Sequence, residues 1–265
     1  TLELITVNPK KQTLTTTAIP RDTLVRVETK NKVEYTKINA AYALGGPTEI
    51  KKQVHELLDV PVDYYALVNM GGLEKTVDAV GGVTVNNPFA FKYEGHTYPK
   101  GKQYLNGSEA LGYSRMRYND PDNDYGRQKR SQQVLLSALT KVNKSKNIMQ
   151  MNSLLDTAKD NVRTDLPLDD LMTLYKNYHG ALANTQSDHL QGKNATIDNF
   201  SFQIAPNKEM QRLSDNTRQA LGLTKVKVNN IQTKMNDMQT NWNGYNNVNY
   251  VLPNDAQVYI PVNKV

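Results

Sequence analysis

The sequence predicts an α/β fold, and three observations carry that prediction. Short β-rich runs alternate with helix-period runs through residues 1–223, and the glycine pairs Gly45-Gly46, Gly71-Gly72 and Gly81-Gly82 punctuate the alternation. A length of 265 residues with 38% hydrophobic side chains is enough to bury a sizeable core in one large domain. At this pitch the expected arrangement is helices packed on a mixed sheet.

Taken in order, Leu2–Val7 and Thr13–Ile19 read as strands on either side of the break at Asn8-Pro9. They feed a loop, Ile19–Thr23, and a further strand at Leu24–Val27. Pro47–Leu58 reads as a helix: Pro47 suits the first turn, and Ile50, Val54, Leu57 and Leu58 fall on one face. Asp63–Asn69 is strand-like, Gly72–Val80 is a short helix and Val83–Val85 is a strand. Phe89–Tyr98 reads as a hairpin turning near Glu94-Gly95. Asn106 starts a helix, with Glu109 three residues on in capping-box register. Helices are expected at Gly126–Val142, Asn147–Asn161, Leu168–His179 and Lys208–Leu221, the last closing at Gly222, with a strand over His189–Ile204. Beyond Gly222 the composition turns Asn-rich. The expected division is therefore a domain over 1–223 and an extension over 224–265, small and β-like or partly ordered.

Basic residues outnumber acidic ones 32 to 26, for a net charge of +6. Such a balance suits nucleic acid, an anionic wall or membrane, or phosphorylated substrates. There is no cysteine, which removes disulfides, thiolate nucleophiles and cysteine-ligated metal sites. No run of 18 apolar residues is present to span a membrane. Thr1 is not an initiator methionine, and the expectation is an upstream targeting segment. His55, His96, His179 and His189 are scattered without zinc spacing, and no nucleophile elbow occurs. The basic stretch lacks interleaved aromatics, so no nucleic acid is expected as partner.

Four of the nine arginines, Arg115, Arg117, Arg127 and Arg130, fall within 16 residues. If Tyr113–Arg117 is extended, Arg115 and Arg117 point the same way. If a helix starts near Gly126, Arg127 and Arg130 share a face, and Asp124 can cap it. Guanidinium forks and free backbone N–H groups would then converge as a phosphate or pyrophosphate requires. The alternative is a self-neutralising salt network with the loop aspartates, and local sequence leaves both open. Arg21-Asp22 and Lys37-Ile38-Asn39 are weaker candidates for an anion or metal site at a strand end.

Read together, LITVNP, AIPRDT, KINAAYALGG, VPVDYYALVNMGGLEKTVDAVGGVTVNNP, YLNGSEALGYSRMR and DYGRQKRSQQV resemble the LytR-CpsA-Psr family of bacterial cell-wall enzymes over residues 1–223. The resemblance implies a central mixed β-sheet flanked by helices on both faces. It implies a phosphotransferase that moves a glycopolymer such as wall teichoic acid or capsule from undecaprenyl pyrophosphate to peptidoglycan through a phosphodiester, with pyrophosphatase activity as a side reaction. The expected setting is the extracellular face of a Gram-positive cell membrane, with a single membrane anchor upstream and an apolar tunnel for the lipid tail. Mg2+ or Mn2+ is the implied cofactor. Its family aspartates fall ahead of Thr1, which leaves the metal ligands unassigned and Asp124 a candidate. By motif the family's arginines fall on Arg21, Arg115, Arg117, Arg127 and Arg130; the last four are expected to be catalytic, and Arg21 to bind substrate together with Asp22, Lys37, Asn39 and Gln132. Ser131 stands where the family often has glutamine, and Gln132 is expected to take over its contact. The second function kept in view is a non-catalytic polyanion-binding or regulatory protein of the envelope.

Overall fold

The computed structural model describes residues 2–30, 32–144, 161–242 and 250–261. Its chain packs as two compact units, one of Thr1–Thr6, Thr17–Asp63 and Asp188–Val265, the other of Val7–Thr16 and Tyr64–Ser187. Strands β1 (Leu2–Asn8), β2 (Thr13–Ile19) and β11 (Asn184–His189) form a three-stranded sheet in the order β1-β2-β11.

In the first unit, β3 (Leu24–Glu28) and β4 (Val33–Lys37) pair antiparallel, with Leu24 opposite Lys37. Strands β12 (Lys193–Ile197) and β13 (Phe200–Ile204) form a hairpin. Its two turn residues, Asp198 and Asn199, both take positive φ (48° and 65°), the twist-matched geometry of a two-residue turn. Parallel bridges place Gln203 beside Thr23 and Val258 beside Tyr35, so the strands of this unit are mixed in direction. Helix α1 (Ala41–Leu58) breaks at Gly46 (φ 65°, ψ −155°), and Pro47 opens its second segment. Val54, Leu57 and Leu58 are buried on the face that the spacing indicated, and α6 (Asn207–Leu221) ends at left-handed Gly222. Alternation along β3 sends Val25 and Val27 into a core with Leu57, Leu58, Met210 and Leu213. Leu24 joins a second core with Tyr35, Phe202, Met235 and Tyr250. The Val25–Val27 face of this strand is thus covered by α1 and α6, whereas the opposite face is buried at Leu24 and opens toward solvent at Glu28.

The expected 223/224 boundary is not where the units divide. Past Thr224 the chain forms α7 (Ile231–Asp237) and delivers Met235, Tyr250 and Leu252 to that second core. His189–Ile204 is the end of β11 followed by the β12–β13 hairpin, because Asp198-Asn199 turns the chain.

In the second unit, β5 (Ala66–Val68) pairs with β10 (Val162–Thr164), and β6 (Val83–Asn87) pairs with β9 (Gly101–Leu105). Strands β7 (Phe91–Tyr93) and β8 (His96–Tyr98) form the hairpin expected around Glu94-Gly95, both with positive φ. Its described residues also form helices α2 (Met70–Ala79), α3 (Gly107–Arg115), α4 (Asn123–Lys144) and α5 (Leu168–Tyr178). Val77, Val85, Phe91, Tyr98, Tyr113, Met116 and Val134 share one core. The N–H groups of Thr84 and Asn86 donate to Ser137 Oγ (2.8 Å) and Gln133 Oε1 (3.0 Å), so α4 satisfies the edge of β6. Most of the helix expected at Asn147–Asn161 lies outside the described residues. None of the described helices is long and apolar enough to cross a membrane.

Candidate functional site: an arginine-rich helix–turn–helix junction

The junction of α3 and α4 is built by capping. Asn106 Oδ1 accepts from the Glu109 N–H (2.9 Å) and Glu109 Oε2 accepts from the Asn106 N–H (2.9 Å), a reciprocal capping box. So secured, α3 runs through Tyr113 and Ser114 to Arg115. The condition that Tyr113–Arg117 be extended is therefore not met: Arg115 ends a helix, and Met116 and Arg117 leave it. A helix C-terminus leaves carbonyls without intrahelical partners. Here α4 supplies the donors: Arg130 Nε to Tyr113 O (2.9 Å), Arg130 Nη2 to Met116 O, and Ser131 Oγ to Ser114 O (3.4 Å).

Arg130 is consequently not displayed to a ligand. Its side chain is 1% exposed, its Nη1 donates to Asp120, and its guanidinium stacks 5.5 Å from the Phe91 ring and 5.8 Å from the Tyr113 ring. The expectation that Arg127 and Arg130 present one common face is corrected for a simple reason. Gly126, Arg130 and Val134, spaced i, i+4, i+8, are buried on α4, as are Gln128 and Gln132, whereas the Arg127 side chain keeps 13% exposure. Gln132 also faces inward, 4% exposed, with Nε2 3.5 Å from Thr16 O, so it is placed as an interior polar group and not as a surface contact for substrate.

The turn itself is organised by Asp120. Its Oδ1 accepts from the Asp122 N–H (2.7 Å), its carbonyl from the Asn123 N–H (2.9 Å), and its own N–H donates to Arg117 O (3.2 Å). Gly126 is required beside it, since a Cβ there would lie 1.9 Å from Asp120 Oδ2.

Three arginines remain nearer the surface. Arg127 (side chain 13% exposed) donates from Nε (2.9 Å) and Nη2 (3.2 Å) to Asp124, and Arg117 Nε approaches the same carboxylate at 3.7 Å. Arg115 pairs through Nη1 with Glu94 of the β7–β8 turn (2.9 Å); Arg115 and Arg117 are each 39% exposed. Asp124 lies in the first turn of α4 and serves the arginines, not a helix cap. Burial alone would raise its pKa, but hydrogen bonds from Arg127 and Gln128 and the charges of Arg127 and Arg117 hold it below the usual carboxylate range. The salt network anticipated as the alternative is therefore real, and it organises the same arginines that a diphosphate would use.

The first unit holds a separate constellation. Lys37 Nζ lies 2.9 Å from Asp22 Oδ1, Arg21 Nε lies 3.6 Å from Asp22 Oδ2, and the Asn39 N–H donates to Arg21 O (3.2 Å). The four residues expected there are thus neighbours. Among the described residues no three His, Asp or Glu side chains gather to hold a metal ion. Asp22 and Asp124 are each engaged by cationic side chains, so the described residues do not fit Mg2+ or Mn2+.

The tunnel expected for a lipid tail is not the cavity found in the first unit. That cavity, about 390 Å³, lies between β3, α1 and residues 228–232, and Arg26, Gln53, Glu56 and Asn230 give it a polar lining. In the second unit Leu67, Val68 and Met70 are exposed apolar side chains. Sequence reasoning counted Asp120 only among the loop aspartates of a salt network, and misread Arg130, although the Gly126-Arg130-Val134 spacing marked its row.

Comparison with known proteins gives a consistent picture. The model of the LytR_cpsA_psr family matches residues 1–219. A polyisoprenyl-teichoic acid–peptidoglycan teichoic acid transferase, TagU of Bacillus cereus, is 39% identical over 225 residues, covering 84% of this chain and 73% of the relative. Among solved structures, TagU of B. subtilis superimposes with a TM-score of 0.66 at 33% identity, covering 84% of this chain and 91% of that one. TagT bound to LIIa-WTA gives 0.70 at 27% identity, covering 83% and 84%.

Proposed function

The chain belongs to the LytR-CpsA-Psr family, and from that premise we propose that it is a glycopolymer–peptidoglycan phosphotransferase acting on a polyprenyl-pyrophosphate-linked polymer such as teichoic acid. The single observation that carries the reading within this chain is the cluster of Arg115, Arg117 and Arg127 at the α3–α4 junction. A wall-sugar hydroxyl attacks the sugar-proximal phosphorus, forming the new O–P bond. The bond from that phosphorus to the bridging oxygen breaks, and polyprenyl phosphate departs with the bonding electrons. The hydroxyl proton passes to solvent.

Charge develops on the transferred phosphoryl oxygens and on the leaving phosphate. Guanidinium forks match those oxygens geometrically, and arginines already held by Asp124 and Glu94 need little reorganisation. Arg21, Lys37 and Asn39 form a second cationic and amide-donor group for the same class of substrate, and exposed Leu67, Val68 and Met70 suit a polyprenyl tail. A polyprenyl carrier is a membrane lipid and peptidoglycan lies outside the membrane, so on this reading the reaction takes place in the cell envelope, at the outer face of the membrane. Anchoring there by a membrane helix outside these residues belongs to this reading.

The test is release of phosphate from a polyprenyl pyrophosphate, and polymer transfer to peptidoglycan, assayed with divalent cation present. Removal of one such transition-state donor costs about 10²–10³-fold in rate. Arg127→Ala is therefore expected to lower turnover by that factor while circular dichroism and the melting temperature stay near those of the unaltered chain. Unchanged turnover sinks the assignment. Binding that is steep in salt and declines a little with each basic residue removed would instead favour the polyanion-binding alternative.

A further inference from the structure

We propose that Asp120 and Arg130 are positioning residues, a buried pair that holds Arg115, Arg117 and Arg127 in register, and that neither touches the substrate. The inference rests on the transferase reading and adds to it a division of labour among the arginines. Arg115 and Arg117 flank the end of α3, whereas Arg127 sits on the first turns of α4. Their relative placement is set by whatever ties those two helix ends together.

Arg130 is that tie. Each of its three nitrogens has a partner: Nε donates to Tyr113 O, Nη2 to Met116 O and Nη1 to Asp120. Two of those acceptors are carbonyls at the C-terminal end of α3, where a cation is favoured by the helix dipole as well as by the free lone pairs. Asp120 completes the link from the other side. Its backbone and carboxylate fix Arg117, Asp122 and Asn123, and its side chain fills the space beside Gly126. Swinging Arg130 outward to a phosphate would leave Asp120 as an unpaired buried charge and strand both carbonyls, which the interior does not tolerate. A planar, three-nitrogen fork is needed here, and lysine, a single point donor, cannot serve three acceptors in different directions.

The experiment uses the full chain, with kcat and KM for a polyprenyl pyrophosphate and thermal midpoints for each variant. Asp120→Asn and Arg130→Lys are expected to lower kcat by about 10- to 100-fold through misplacement of the clamp. KM should stay within about twofold, because the lipid and polymer portions supply most ground-state binding. In an Arg127→Ala background, Asp120→Asn should cost less than it does in the unaltered chain, because one of the three arginines it positions is already gone. Should either variant fail to fold, the apolar pair Asp120→Leu with Arg130→Met removes the buried charges together and is read in the same way. In Arg130→Gly, free guanidinium is expected to restore part of kcat. The proposal is overturned if KM rises in step with the fall in kcat, if the losses multiply with Arg127→Ala, or if folded variants turn over at the unaltered rate. An unaltered chain that turns over no polyprenyl pyrophosphate overturns the transferase reading itself, an outcome distinct from active enzyme with indifferent variants.

Discussion

Substituting Gly126 by alanine should reveal how tightly the junction is assembled. The added Cβ would lie 1.9 Å from Asp120 Oδ2 and 2.1 Å from Cγ and Oδ1. Ordinary contact begins at 3.4 Å, so either the carboxylate or the first turns of α4 must move by about 1.5 Å, in an interior that yields little. Overpacking of this kind costs about 1–3 kcal/mol, and driving Asp120 off Arg130 moves the cost toward the roughly 3–5 kcal/mol of a broken buried pair. The expected loss is therefore about 3 kcal/mol, or a melting temperature lower by about 6–12 °C for a chain of this size. The sign should invert once the carboxylate is gone. In an Asp120→Ala background, itself destabilised, Gly126→Ala only replaces glycine in a helix and should gain up to about 1 kcal/mol. Thermal and urea unfolding of the four chains measure both legs. A change within about 0.5 kcal/mol in the unaltered background, or an equal cost in both backgrounds, would refute the close approach on which the junction rests.

Two further outcomes follow from buried titratable groups. The Tyr113 hydroxyl is buried with no hydrogen-bond partner among the described residues, so Tyr113→Phe should be neutral or stabilising by up to about 1 kcal/mol in urea midpoints. Burial pushes Tyr113 up to about 12 against the opposing pull of Arg130. The stability tied to its neutral form is intact below the ordinary value of 10 and fades as pH rises toward 12; Tyr113→Phe should flatten that alkaline slope, and an unchanged slope would count against it. Asp188 and Glu209 are raised by burial but lowered further by Arg212, which hydrogen-bonds both. Their folded values lie below the unfolded 3.8 and 4.5, so the stability they contribute is present above those values and lost as pH falls through and below them. Urea midpoints should drop on acidification below about pH 4.5, and Arg212→Met should shrink that drop; an undiminished drop would remove Arg212 as its cause.

What could be read from the sequence was whatever local pattern encodes. The Pro47–Leu58 face, the Asn106/Glu109 capping box, the Glu94-Gly95 turn and the Gly222 stop all reappear in the structure. Strands β4 and β9 went unseen for opposite reasons. In β4 the buried positions include Glu34 and Thr36, so the usual apolar alternation is masked. In β9 most side chains face outward, and only Leu105 is buried. Tyr113–Arg117 was ambiguous because a five-residue run without glycine or proline fits helix and strand equally. The Asp120–Arg130 pair spans ten residues and a turn, and its purpose, capping another helix, exists only once α3 and α4 are packed.

The salt network and the anion clamp looked like rival readings, yet their physics is compatible. Arg117 and Arg127 brought near one another in a partly dry turn would repel, and an ionised Asp124 between them removes that repulsion. Each guanidinium carries five donors; Arg117 approaches Asp124 with Nε at 3.7 Å, and Arg115 meets Glu94 through Nη1 at 2.9 Å. The acidic partners therefore fix orientation without spending whole forks. They also set a cost, since a diphosphate arriving beside Asp124 meets a carboxylate whose depressed pKa keeps it charged. In the proposed reaction, binding energy from the lipid and the polymer offsets that repulsion, and the transition state, with its charge spread over more oxygens, gains more from the same arginines than the ground state does. A net charge of +6 could not have distinguished these cases, because the discriminating quantity is which guanidinium nitrogens are engaged and which helix end each arginine serves.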